Sequence, residues 1–228
     1  MHPIIQQAFN GKRDFLEPEC WEVLKSYDLP TPSYRWVLSS TQAKESALSL
    51  EFPMILKVVS PDIIHKTDVG GIIMGLRNPD EVEAGYKELE RIIQKKRPES
   101  RWEGAILVKQ LPKGREVILG KFEDPQLGPA LMLGIGGIFT EILGDVVFRL
   151  LPLTSFDAQE MVSDLKFRSV LQGTRGEGPV DIEALYQAIF AFGRLIEENP
   201  VIKECDLNPI FLYEKGLYVV DARMSILR

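Results

Sequence analysis

The feature that most constrains this chain lies near its C-terminus, in the segment ECDLNPIFLYEKGLYVVDAR from Glu204 to Arg223. Strand side chains alternate between faces, so Glu204, Asp206 and Asn208 share one face, while Cys205, Leu207 and Phe211 share the other. A four-residue loop from Tyr213 to Gly216, with Gly216 supplying a positive φ, folds the segment into a hairpin. Leu212 then faces Leu217, and Asn208 faces Asp221. The same register predicts an apolar face made of Leu207, Pro209 and Phe211 opposite Ala222, Val220 and Tyr218. A slip of one residue would carry Asp221 onto that face, so sidedness selects the first register. Asn208, Asp221 and the neighbouring Asp206 are hard oxygen donors, which suit a Mg²⁺ ion shared with water and substrate phosphates. An ordinary edge hairpin with a polar outer face satisfies the same spacing.

Composition narrows the classes of function. The chain has 228 residues, 45% hydrophobic and 26% charged, enough for one large domain or two small lobes. A formal net charge of −6 offers no basic footprint and argues against a nucleic-acid partner. The two cysteines, Cys20 and Cys205, are far apart and lack metal-ligand spacing, so they are expected as reduced, buried thiols of an intracellular protein. The N-terminus has no signal-peptide core, and no run approaches the roughly 20 apolar residues of a membrane span. These observations predict a soluble, cytoplasmic protein with no membrane partner.

Periodicity places a helix from Leu16 to about Tyr27, stopped by Pro30 and Pro32, then a strand from Tyr34 to Leu38. Thr41 is expected to cap a helix running to Leu50. Met54 to Val59 is an apolar run broken by Lys57, a strand buried on both faces. The loop Ser60 to Gly71 follows, then a strand to Leu76 and a long amphipathic helix opened by Pro79. Strands are expected at Gly104–Gln110, Glu116–Lys121, Pro129–Leu133 and Val146–Leu151, and helices at about Asp157–Leu165 and Asp181–Glu198. A Gly-rich connection, Gly173–Gly178, links those two helices. Leu111-Pro112-Lys113-Gly114 reads as a hinge. The pattern is α+β, two lobes split at residues 1–111 and 112–228 with a cleft between them.

Four further positions are candidates for chemistry. Lys57, alone in an apolar strand, either reaches solvent or meets an anion, because burying it without a counter-charge costs several kcal/mol. Glu116 opens a strand just after the hinge, either as a surface carboxylate or as a group facing a ribose or metal. His65 lies in the loop after the lysine strand, beside Lys66, Thr67 and Asp68; it is either a loop histidine bonded to a carbonyl or a phosphoryl acceptor and acid–base group. The Gly134-Ile135-Gly136-Gly137 stretch offers backbone amides to an anion, or simply makes a tight turn. It matches neither a Walker A loop nor a dinucleotide fingerprint.

Three long stretches together resemble the ATP-grasp β subunit of the ADP-forming acyl-CoA synthetases. They are MILKVVSPDIIHKTDVGGI from Met54, GREVILGKFEDPQLGPALMLGIGGIFTEILGDVVFRLLPL from Gly114, and ECDLNPIF with VVDAR near the end. The resemblance covers essentially the whole chain and implies an ATP-grasp fold with the nucleotide between two lobes. It implies that Lys57 holds ADP or ATP phosphates, that Val108, Lys109, Gln110 and Leu111 receive the base, and that Glu116 faces the ribose. Asn208 and Asp221 would bind Mg²⁺, and Asp206 would orient an incoming histidine. His65 would relay phosphate, with Gly134, Gly136 and Gly137 forming a loop near that relay. The implied partner is a CoA-binding α subunit carrying a phosphohistidine loop, assembled as α2β2. The implied reaction reversibly converts acyl-CoA, ADP and phosphate to acid, CoA and ATP. A nucleotide-sensing module and a stand-alone acid ligase are the competing readings.

Overall fold

The computed structural model of the chain describes residues 1–137, 143–173 and 178–227, so most of the expected Gly173–Gly178 connection lies outside the described residues. Two compact units emerge, Pro32–Pro112 and a second made of Met1–Thr31 with Lys113–Arg228.

The first unit is an antiparallel sheet backed by two helices. Strands β1 (Tyr34–Val37), β2 (Met54–Val58), β3 (Ile72–Leu76) and β4 (Ala105–Lys109) lie in the order β1-β4-β2-β3. Helix α3 (Ser40–Ala47) starts earlier than Thr41, because extended Ser39 accepts the Gln42 amide at 3.2 Å and is the true cap. Helix α4 (Pro79–Lys96) is capped by Asn78, whose side chain accepts the Glu81 amide at 2.9 Å. The α4 stripe Val82, Tyr86, Leu89 and Ile93 packs with Ala43, Ala47, Met54, Leu56, Val58 and Leu107. Alternation therefore turns Leu56 and Val58 toward the helices and Lys57 to the reverse face.

The second unit carries a larger antiparallel sheet. Its strands are β5 (Arg115–Asp124), β6 (Gly128–Ile135), β7 (Val146–Leu150), β8 (Ile202–Leu212), β9 (Leu217–Val219) and β10 (Ala222–Ile226), in the order β10-β8-β5-β6-β7 with β9 also paired to β8. Helices α5 (Ser155–Asp164) and α6 (Ile182–Glu198) lie against it, α6 burying Leu185, Ile189, Phe192, Leu195 and Ile196.

The first 31 residues depart from the expected lobe of residues 1–111. The predicted helix forms as α2 (Glu17–Lys25), and α1 (Pro3–Asn10), which periodicity did not flag, precedes it. Helix α2 packs against β10 and α1 against α2, and flanking main chain ties in as well: the Phe15 amide donates to Met224 at 3.2 Å and the Val219 amide to Pro30 at 2.8 Å. The Tyr27 hydroxyl bonds Glu198 and receives the buried Asn199 amide, each at 2.8 Å.

The tail has the expected register, with Leu212 opposite Leu217, Phe211 opposite Tyr218, Leu207 opposite Ala222 and Asp206 opposite Arg223. Its sidedness is a correction. On the other flank of β8, Val117 pairs with Ile210 but Leu119 with Leu207, so Asn208 and Pro209 together oppose Ile118. This bulge shifts the alternation by one residue. Cys205 and Leu207 are buried before it, Ile210 and Leu212 after it, while Tyr218 is 38% exposed. Leu207, Pro209 and Phe211 therefore do not share one apolar face.

The hairpin loop is held from outside. Asp181, the α6 cap, accepts the Ala184 amide at 3.0 Å and the Gly216 amide at 2.9 Å, and its own amide donates to Tyr213 at 2.7 Å. Gly216 has φ of 71°. The Gly216 and Ala184 amides hold the Asp181 carboxyl below the usual carboxylate range. A depressed folded-state pKa contributes stability above the unfolded pKa, lost as pH falls through the folded one. Asp181→Ala is expected to lower the thermal midpoint at neutral pH, with a deficit that narrows through the acid range; a pH-independent deficit would contradict this account.

Candidate active site

The tail places four chemical groups on the open side of the larger sheet. Asp206 lies across from Arg223 on β10 and from Gly120 on β5. Gly120 has no side chain, and a Cβ added there would lie 3.2 Å from the Met132 Cε and 3.9 Å from the Asp206 Oδ1. On the far side of the bulge the Asn208 amide donates to the Asp221 carbonyl at 3.1 Å, and the Val220 amide to Pro209 at 3.0 Å. Asn208 and Asp221 are thus neighbours across the ladder, as their spacing predicts.

The electrostatics agree with a crowded oxygen cluster. Loss of water around its carboxyl, then the like charge of Asp221, raises the Asp206 pKa; Arg223 and a hydrogen bond from Asn208 oppose them. Glu204, further along, accepts the Ser225 hydroxyl at 3.3 Å and lies 4.0 Å from Arg223. Among the described residues, no group of three or more His, Cys, Asp or Glu side chains is arranged to hold a metal alone. A Mg²⁺ that keeps water and shares phosphate oxygens needs only one or two protein carboxylates. The Asp221 carboxylate and Asn208 amide oxygen fit that need, and a divalent cation would relieve the repulsion between Asp206 and Asp221.

Glu116 and the glycine turn come together in the same unit. The Gly136 amide donates to the Glu116 carbonyl at 2.7 Å, and a Cβ on Gly136 would fall 2.5 Å from the Glu116 Cβ. Gly137 has φ of 65°, and Gly134 pairs with both Ile118 and Val146. The Ile135 amide is taken by the Asp145 carbonyl at 3.4 Å. Two amides of the expected phosphate loop are thus engaged within the fold, and close approach to Glu116 accounts for Gly136. The Glu116 carboxylate is half-buried, 3.5 Å from the Lys113 ammonium.

The other unit holds the remaining candidates. Lys57, on interior strand β2 between Ile72 and Ile106, is only 4% exposed. His65 is exposed in the loop before β3. Of the expected base-binding stretch, Val108 is buried and Lys109 pairs with Glu51. Gln110 accepts the Gly75 amide at 2.9 Å and donates its own to Pro53 at 2.8 Å; Leu111 is partly exposed. The structure brings Asp206, Asn208 and Asp221 together, and Glu116 with the turn; Lys57, His65 and Val108–Leu111 share the other unit. Sequence reasoning missed Arg223 and Gly120 as neighbours of Asp206. Arg223 was legible two residues from Asp221, whereas Gly120 needed the pairing of β5 with β8.

Residues 7–226 match the ATP-grasp domain family. The chain is 43% identical over 223 residues, 98% of its own length and 96% of the other, to the β subunit of ADP-forming acetate–CoA ligase I of Pyrococcus furiosus. The chain belongs to the ATP-grasp β subunits of the ADP-forming acyl-CoA synthetases. Members of this group act in the acetate–CoA ligase (ADP-forming) class of reaction. Its structure superimposes on that of Ca. Korarchaeum cryptofilum acetyl-coenzyme A synthetase 1 in complex with coenzyme A and Ca-AMPCP, with a TM-score of 0.94, 41% identity and coverage of 99% and 98% of the two chains. A second structure of that enzyme, with coenzyme A and Mg-AMPPCP, has its phosphohistidine segment pointing towards the nucleotide binding site; it matches at a TM-score of 0.85 and 39% identity, covering 99% and 98%. No helix among the described residues is long and apolar enough to cross a membrane.

Two outcomes test the site's construction. Gly136→Ala forces Glu116 or the turn to move, and should destabilise the fold by about 1–3 kcal/mol, the usual effect of overpacking, in urea titrations. The raised Asp206 pKa makes its charge unfavourable to folding once pH exceeds the ordinary carboxylate range. Asp206→Asn should therefore raise the thermal midpoint of the ligand-free chain at neutral pH, with the gain fading as pH falls through that range. A midpoint lowered at pH 7 would contradict this.

Proposed function

We propose that this subunit transfers a phosphoryl group from a phosphohistidine of a CoA-binding partner to ADP, forming ATP as acyl-CoA and phosphate become acid and CoA. The supporting observation is the tail cluster: Asn208 and Asp221 side by side across the ladder, with Asp206 one step away on the same open face. Phosphoryl transfer asks the protein mainly to position reactants and neutralise charge.

Each side chain then has a task. Lys57, a buried cation on an interior strand, holds phosphate oxygens, a role that offsets the cost of taking its ammonium out of water. Val108 to Leu111 receive the base and Glu116 faces the ribose. Asn208 and Asp221 would hold Mg²⁺. That ion, when bound, supplies Lewis-acid charge neutralisation on the phosphates. Asp206 accepts a hydrogen bond from the ring nitrogen remote from phosphorus on the incoming histidine, fixing the imidazole for in-line transfer and favouring its protonated form as the N–P bond breaks. The ADP β-phosphate oxygen forms the new P–O bond, and the partner's imidazole is the leaving group. His65, in an exposed loop, relays phosphate on the path to the partner, and the assembly is expected to hold two subunits of each kind.

The chain mixed with its CoA-binding partner, acetyl-CoA, phosphate, Mg²⁺ and ADP is expected to form ATP, and neither subunit alone should do so. Asp221→Ala should remove Mg²⁺-dependent ADP binding in calorimetry while leaving the circular dichroism spectrum unchanged. His65→Asn should fold normally and lose phosphate passage between partner and nucleotide. Turnover by the isolated chain would favour a stand-alone ligase, and unchanged ADP affinity in Asp221→Ala would remove the metal assignment.

A further inference from the structure

Asp145 is 1% exposed, the most deeply buried carboxylate among the described residues. It directly precedes β7, on the same side of the strand as Arg149. Arg149 bonds Asp164 of α5 at 2.5 Å and lies 3.6 Å from Glu160. Asp145 instead grips main chain just beyond α5. Its Oδ1 accepts the Lys166 amide and its Oδ2 the Phe167 amide, both at 2.9 Å.

Those two amides are the central residues of a β-turn. The Arg168 amide donates to the Leu165 carbonyl at 3.4 Å, and Phe167 has φ of −101° and ψ of 25°, the third position of a type I turn. The main-chain carbonyl of Asp145 accepts the Ile135 amide at 3.4 Å, and Gly136, the next residue, holds the Glu116 carbonyl at 2.7 Å. Asp145 thus joins the turn after α5 to Ile135 of the glycine turn, and Gly136 joins that turn to the main chain of Glu116.

A buried carboxylate is a costly way to fill space, and a neutral side chain would pack as well. What an ionised carboxylate provides is two charge-assisted acceptors that fix adjacent amides at once. We propose that Asp145 is a positioning residue for the nucleotide: by clamping residues 166–167 it locks the glycine turn, and through that turn sets the Glu116 side chain. The inference rests on the assignment of Glu116 to the ribose side of ADP. It makes Asp145 matter to nucleotide recognition and leaves the phosphoryl step to the tail cluster.

Two variants break the clamp from opposite sides. Asp145→Asn keeps the shape but replaces one acceptor with a donor. Lys166→Pro deletes one donated amide at the second turn position, where proline's φ fits; Leu165, which precedes it, is already extended at φ −62° and ψ 129°. Arg149→Leu is the control, cutting the neighbouring tie between β7 and α5 while sparing both turns. With the partner present, both clamp variants should raise the KM for ADP roughly tenfold, the scale of one misplaced hydrogen bond, with kcat at saturating ADP held within about twofold. The control should lower the thermal midpoint and leave the KM unmoved. Should Asp145→Asn fail to fold, Lys166→Pro decides. An unmoved KM in a folded clamp variant, or an equal rise in the control, overturns the role of Asp145 alone. A wild-type pair that makes no ATP overturns the functional reading and this inference with it.

Discussion

Two main-chain hydrogen bonds, from Asn208 to the Asp221 carbonyl and from Val220 to the Pro209 carbonyl, are the constraint on which the site depends. Each is worth only about 1 kcal/mol in net stability. Their importance is geometric, because they set which side chains are neighbours. Slipped by one residue, the ladder would separate Asn208 from Asp221 and turn half of the polar set inward. The hold is reinforced where the chain leaves the ladder: Asp181 ties the loop to the start of α6, and the β8 bulge seats Asn208 and Pro209 against Ile118 of β5. The bulge shifts burial along β8 from odd to even positions, so Cys205 and Leu207 before it and Ile210 and Leu212 after it all face the core, while Asp206 and Asn208 stay exposed.

Three charged side chains lie away from open solvent or beside a like charge. Lys57 lies within an interior strand, Asp145 just before an edge strand, and Asp206 beside a like charge. Each carries a desolvation or repulsion cost that an apolar or amide side chain would avoid. In Asp145 the compensation is internal, through two amides. For Asp206, Arg223 and a hydrogen bond from Asn208 offset part of the cost. Such sites are where stability and activity trade against each other.

Much of this was legible in the sequence because strand alternation and hairpin register are local rules. Glu204, Asp206 and Asn208 fall on one face by spacing alone, and the Leu212–Leu217 pairing follows from the loop. What escaped were features made by distant partners. The reversal at Pro209 depends on β5, nearly a hundred positions earlier, contributing one residue where β8 contributes two. The amphipathic stripe of α2 announced a helix, yet nothing in its period says that its apolar side meets β10. The expected phosphate role of Gly134 to Gly137 drew on glycine's access to anions, whereas Gly136 is small because Glu116 occupies the space its Cβ would need. Asp145 went unremarked among apolar neighbours, since its two amide donors lie about twenty residues away.

The partnership of Met1–Thr31 with Lys113–Arg228 bears on how the molecule is born. A ribosome releases the chain from its N-terminus at about 5–20 residues per second, and domains mature as they emerge. The helices of Met1–Thr31 emerge well before Val219 and Met224, and cannot dock until those residues follow. All four strands and both helices of Pro32–Pro112 are synthesised before then. The unit Pro32–Pro112 is therefore free to mature first, and the second unit closes only once Val219 and Met224 have emerged.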